Sequence, residues 1–134
     1  MLEAAVAGAR DPGLGDAVEV VVRPALSASV VDALEADGYL LGTPANIGYI
    51  SGALKHFFDT IYYPCLDATK GRPFAAYVHS NLDATGAVRA IDTITTGLGW
   101  SAVAPTYVVS NAPNADDRAA LHELGATVAA TLLS

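Results

Sequence analysis

The sequence is short of several things, and each shortage excludes a class of function. Its one cysteine, Cys65, can form no internal disulfide. Its first residues show no basic stretch followed by an apolar one, as a secretory signal would, so a reducing cytoplasm is the expected setting. Basic residues number seven against fourteen acidic ones, for a net charge of −7. No cluster of Lys and Arg is available to neutralise a row of phosphates, which argues against nucleic acid and anionic membrane surfaces as partners. No apolar run approaches the roughly 18 residues of a spanning helix, so a soluble protein with no membrane insertion is expected. The three histidines, His56, His79 and His122, are scattered without metal-ligand spacing, and Cys65 has no neighbouring His. Neither a zinc site nor a thiol nucleophile is supported, and no side chain stands out as a catalytic acid, base or nucleophile.

Apolar residues are plentiful. They make up 52% of 134 residues, with Ala, Val and Leu dominant, which suits a parallel sheet buried on both faces. A chain of this length is expected to be one domain, residues 1–134. Along it, residues 2–10 place Leu2, Ala5, Val6 and Ala9 on one helical stripe, ended by Asp11-Pro12-Gly13-Leu14-Gly15. "AVEVVVRP" (17–24) has the β-branched content of a strand, and "SASVVDALEAD" (27–37) offers a Ser cap and a helical stripe. "GYLLGTP" (38–44) is the next strand, followed by a helix running through Tyr62 and stopped by Pro64. "RPFAAYVHS" (72–80) predicts a strand and residues 83–99 a helix capped by Asp83 or Thr85. "APTYVVSNAP" (104–113) predicts the last strand, before a helix capped by Asn114 with Leu121, Leu124, Val128 and Leu132 inward. The alternation implies α/β architecture: a doubly wound parallel sheet between two helical layers. Gly97-Leu98-Gly99-Trp100-Ser101-Ala102 matches G-x-G-x-x-A, but it follows a helix and precedes a strand, so it reads as a helix-ending turn.

The stretch "GTPANIGYISGALKHFFD" (42–59) holds the most information. Leu54, Phe57, Phe58 and Ile61 line one helical face, whereas the loop Thr43-Pro44-Ala45-Asn46-Ile47-Gly48-Tyr49 is more apolar than an ordinary connection. With Ala36-Asp37-Gly38 before it and Leu54-Lys55-His56-Phe57-Phe58-Asp59 after it, the segment resembles the flavodoxin-like superfamily. Within that superfamily it is similar to the FMN-dependent NAD(P)H:quinone oxidoreductases. The resemblance implies FMN as cofactor and NAD(P)H plus a small-molecule acceptor such as a quinone as partners. It implies cofactor contacts from Thr43, Pro44, Ala45, Asn46, Ile47 and Gly48. The loop after the next strand, His79, Ser80, Asn81, Leu82 and Asp83 with Gly86, is the expected second contact. Tyr62 and Tyr63 are expected to pack, Lys55 to face solvent, and Asp59 to bond a nearby backbone group.

The first helix lacks a cap, and a doubly wound domain normally opens on a strand. A first strand and the hydroxyl-rich phosphate loop after it are therefore expected to lie upstream of Met1, leaving this chain with weak affinity for FMN. The alternatives are a non-enzymatic flavodoxin-type electron carrier and a truncated domain that binds no flavin. A gap beside the second and third strands would favour the latter, or a strand-exchanged homo-oligomer. A receiver domain shares the sheet order but needs an Asp ending the third strand and a Lys ending the fifth; Gly42-Thr43-Pro44 and Val109-Ser110-Asn111 stand there instead.

Overall fold

A computed structural model of the chain describes residues 1–14 and 17–134. Its parallel sheet has β3 (Pro73–Ser80) at the centre. On one side β1 (Tyr39–Asn46) runs parallel to it, in register from Tyr39 opposite Phe74 to Pro44 opposite His79. On the other side β4 (Ser101–Ala102) pairs with the start of β3 and β5 (Tyr107–Ser110) with its end. The last predicted strand, 104–113, is thus shortened to β5, and β4 lies before it; between them the Val103 amide donates to the Phe74 carbonyl at 3.0 Å.

Side chains of β3 alternate between two cores, as a pleat requires. Phe74, Ala76 and Val78 enter one core with Tyr39 and Leu41. That core is covered by α2 (Val30–Glu35), α3 (Gly52–Cys65) and α4 (Thr85–Leu98). Ala75 and Tyr77 enter the other, beneath α1 (Leu2–Ala9) and α5 (Ala115–Leu132), where Ala5, Leu121, Leu124 and Val128 are buried. Helices therefore cover both faces of the sheet.

Several ends follow from local chemistry. Asn114 caps α5 by accepting from the Asp117 amide at 2.8 Å, and the Asp117 carboxylate accepts from the Asn114 amide at 3.0 Å. Ser29 is the expected Ser cap and does the same for α2 with Asp32. The turn at Gly97–Ala102 ends α4 as expected: Gly99 adopts φ +75° and the Trp100 amide donates to the Thr95 carbonyl at 3.0 Å. Pro64 does not stop α3, which continues to Cys65. So close to the helix end a proline forfeits one backbone bond, and buried Cys65 holds the last turn in the core.

The expected strand at 17–24 is a correction. These residues form no ladder with any described residue. Val21 and Val22 remain exposed, and the carbonyl of Val20 accepts from Arg10 Nη2 at 3.3 Å. β-branched composition favours a strand without supplying a neighbour, and a strand exists through its ladder. In a 2-1-3-4-5 sheet the second and third strands flank the first. Among the described residues, 17–24 and the outer edge of β1 from Tyr39 to Pro44 lack a partner on that side.

Candidate functional site

In open parallel sheets, ligands bind beyond the carboxyl ends of the strands. The carboxyl ends of β1 and β3 lie side by side, Pro44 opposite His79, so the segments after them, 45–51 and 80–85, form one rim. Eight of the twelve residues named above for cofactor contact, Ala45–Gly48 and Ser80–Asp83, are on this rim. Pro44 and His79 are the paired strand residues just inside it, Thr43 lies one position further in, and Gly86 is in the first turn of α4.

The first segment is not the loop that the sequence suggests. Thr43, Pro44, Ala45 and Asn46 continue β1, and the chain folds back as a hairpin onto β2 (Tyr49–Ile50), with Ala45 opposite Ile50 and Asn46 opposite Tyr49. Ile47 and Gly48 make the two-residue turn with φ of +50° and +76°, the both-positive geometry of a type I′ turn. Glycine adopts it freely; a β-branched residue does not. Ile47 is nevertheless there, with its side chain entirely in solvent at 105% relative exposure.

The base of the hairpin is fixed. Buried Thr43 donates its hydroxyl to the Pro44 carbonyl at 2.8 Å and accepts from the Ser51 amide at 2.9 Å. Ser51 in turn caps α3 by accepting from the Leu54 amide at 3.1 Å. At its tip the hairpin rests on α4, where a Cβ added to Gly86 would overlap the carbonyl oxygen of Gly48. The two rim segments therefore touch.

In the second segment most polar side chains are engaged locally. The Ser80 hydroxyl is buried and accepts from the Leu82 amide at 3.2 Å. Asp83 accepts from the Thr85 hydroxyl at 2.7 Å and the Thr85 amide at 3.0 Å, which holds its carboxyl below the usual range, the hydroxyl bond contributing most. Ala84, not Asp83 or Thr85, occupies the cap position of α4. His79 Nε2 lies 2.7 Å from the Asn111 carbonyl, which can accept but not donate, so Nε2 carries the proton. Asn111, at φ +61°, also donates its amide to the Ser80 carbonyl at 2.9 Å. That contact ties the segment after β5 to the rim, a link that no local residue pattern announces. Asn81 and Leu82 are exposed, Leu82 completely.

The rim thus offers apolar surface from Ile47 and Leu82, backbone groups of the turn, and no free acid or base. These features fit the flat, largely apolar ring of a flavin, whose polar edge takes backbone donors. A hydroxyl-rich loop opening a helix, suited to a phosphate, is not found among the described rim residues. Elsewhere, the structure replaces two expectations. Asp59 pairs with Lys55 at 2.6 Å rather than with backbone. Tyr62 is half-buried, but Tyr63 is 82% exposed and meets only the edge-on ring of Tyr62, 5.5 Å away between centroids, rather than the core. Burial pushes the Cys65 thiol up, away from a reactive thiolate. No helix among the described residues is long and apolar enough to cross a membrane.

No protein-family model matches the chain, and no curated protein does either. Solved structures do. A flavodoxin from the domain Archaea superposes with a TM-score of 0.80 at 17% identity, covering 98% of this chain and 87% of that one. The flavodoxin, WrbA-like protein of Agrobacterium tumefaciens gives 0.75 at 18% identity over 96% of this chain and 85% of its own. The two-electron reduced flavodoxin of Megasphaera elsdenii gives 0.75 at 21% identity, over 96% and 88%. At such identities the likeness establishes architecture: the chain has the flavodoxin-like α/β fold.

Proposed function

We propose that this chain is a flavin-binding redox domain that takes FMN at the rim beyond β1 and β3 and serves NAD(P)H-dependent reduction of quinones or similar acceptors. The observation that carries this reading is the convergence of the two rim segments, with fully exposed Ile47 and Leu82 beside the turn backbone. FMN supplies the hydride and electron chemistry when bound. The chain's contribution is to position the ring: Ile47 and Leu82 provide apolar contact, and the turn from Asn46 to Gly48 provides backbone hydrogen bonds. Thr43, Ser80, His79 and Asp83 act on the scaffold, each through the local bond described above.

The test is the visible absorption spectrum of the purified protein with and without added FMN, followed by NAD(P)H oxidation with a quinone. Flavin bands that co-purify or saturate on titration, with quinone-dependent NAD(P)H consumption, support the reading. Flavin binding without NAD(P)H oxidation points to an electron carrier. Absence of binding overturns the proposal.

A further inference from the structure

We infer that the outer edge of β1 is a docking site for one extended, uncharged, apolar segment of a partner polypeptide, which joins the sheet as an added strand. The inference stands apart from the flavin reading, because it concerns the flank of the sheet and not its rim.

Three observations converge on that edge. From Tyr39 to Pro44, β1 pairs with β3 on one side and with no described residue on the other, since β2 reaches only Ala45 and Asn46. Its outward backbone groups are therefore a template for another strand. Second, Tyr77 lies across β1, where a Cβ added to Gly42 would overlap its hydroxyl. Tyr77 is only 8% exposed, yet no described residue bonds that hydroxyl, whereas buried Tyr39 donates its own to the Ala33 carbonyl at 2.6 Å. Every fully buried side-chain polar atom among the described residues has a partner, so the Tyr77 hydroxyl opens outward at Gly42. Third, Val21, Val22, Leu26, Val31 and Leu34 are exposed on the segment that leads into and forms α2, the helix that Tyr39 bonds. Such a concentration of exposed apolar side chains marks a site of association.

The lining defines the occupant. Side chains of an added strand point alternately to the two faces of the sheet. Both faces are apolar here, for Tyr39 and Leu41 belong to one core and Leu40 packs on the other. No charged residue lies in Tyr39–Pro44 or Val20–Val22, so a charge on the occupant would lose its water without gaining a counter-charge. One polar group beside Gly42 would satisfy the Tyr77 hydroxyl. A second copy of the chain is the weaker candidate, because two chains of net charge −7 repel. Ladder bonds supply affinity in this mode of recognition, and the alternating side chains supply selectivity.

The probe is a fluorescently labelled acetyl-Lys-Val-Val-Thr-Val-Val-Val-Lys-amide, whose lysines fall outside the edge. Its control carries N-methyl groups on three successive central residues, which removes ladder donors but keeps the apolar surface. Saturable binding is expected, at least about tenfold weaker for the control, with peptide slowing hydrogen exchange in the segment 39–43. Tyr77→Phe, which keeps the ring, is expected to bind about threefold to tenfold more weakly, with circular dichroism confirming its fold. No binding, equal binding of the control, or unslowed exchange at 39–43 overturns the inference, and unchanged affinity in Tyr77→Phe overturns the placement beside Gly42. Light scattering and exchange without peptide test the other occupants. A dimer with 39–43 already protected assigns the edge to a second copy, and a monomer with 39–43 protected assigns it to the chain's own 17–24. Either result also overturns the inference.

Discussion

The carbonyl oxygen of Gly48 rests directly on the α-carbon of Gly86, joining the segment after β1 to the first turn of the helix after β3. This contact sets the width of the rim, and it depends on glycine at two positions for different reasons. Gly86 has no room for a side chain. Gly48 has open space around it but a φ of +76°. Gly48→Ala is expected to lower stability by about 1 kcal/mol through backbone strain alone. Thermal or denaturant unfolding checks this, and an unchanged midpoint would show that the turn relaxes without cost.

Ile47 pays the same backbone penalty without the excuse of packing, since its side chain touches solvent throughout. Ile47→Asn should therefore stabilise the fold by about 1 kcal/mol. It should also weaken flavin binding by removing apolar surface, the usual exchange of stability against a functional surface. Parallel unfolding and flavin titrations check the two signs.

Arg72 holds the end of α2. Its Nη1 lies within 3.2, 2.8 and 2.7 Å of the Ala33, Leu34 and Ala36 carbonyls, and its Nη2 is 3.3 Å from the Ala68 carbonyl. Four carbonyls and the Tyr39 hydroxyl, 3.3 Å from Nη1, converge on one guanidinium, and a lysine cannot reproduce that fork. Arg72→Ala is expected to cost about 1–3 kcal/mol, with Arg72→Lys recovering little of it. Chemical denaturation of the three proteins measures the series.

Asp117 and Asp32 contribute to the acid limb of stability, together with Asp83 and Glu3, whose carboxyls folding also lowers. The Asn114 amide, and then the Tyr107 hydroxyl at 2.7 Å, hold the Asp117 carboxyl below its ordinary 3.8. The Ser29 amide does the same for Asp32. A carboxyl depressed by folding stabilises above its unfolded value and loses that contribution as pH falls through its lower folded value. The midpoint of thermal unfolding should therefore be flat above about pH 5 and fall below pH 4, less steeply in Asp117→Asn. A pH series on both proteins checks the slope.

The order of helices and strands was legible wherever an apolar period met a clear stop. Residues 73–80, the turn at Gly99 and the Asn114 cap follow from local chemistry alone. The strand at 17–24 was misread because β-branched composition carries no information about whether a neighbour is present. Likewise, Asn46-Ile47-Gly48-Tyr49 reads as a loop because Ile is an unfavourable residue for a type I′ turn, although Gly48 is the usual one at its second position. That the segments after "GYLLGTP" and "RPFAAYVHS" lie side by side was readable from their being successive parallel strands. The narrowness of the rim was not, because Gly48 and Gly86 are 38 residues apart and neither announces the other.

In the proposed reading the rim contacts the flavin ring, and among its described residues there is no cradle for a phosphate. Riboflavin and FMN are accordingly expected to bind with dissociation constants within about threefold of each other, well short of the factor of 10 that 1.4 kcal/mol from phosphate bonding would provide. Calorimetric titration with both ligands decides it, and a strong preference for FMN would show a phosphate site elsewhere in the chain.

The most direct test of the account is a fluorescence-quenching titration of riboflavin into wild type and into Ile47→Asp/Leu82→Asp, with circular dichroism confirming that both are folded. The account predicts saturable binding to wild type, and at least about tenfold weaker binding to the double variant, whose charges would be desolvated against the ring. Undiminished binding by the folded double variant, or none by wild type, would contradict the placement of the flavin at the rim of β1 and β3.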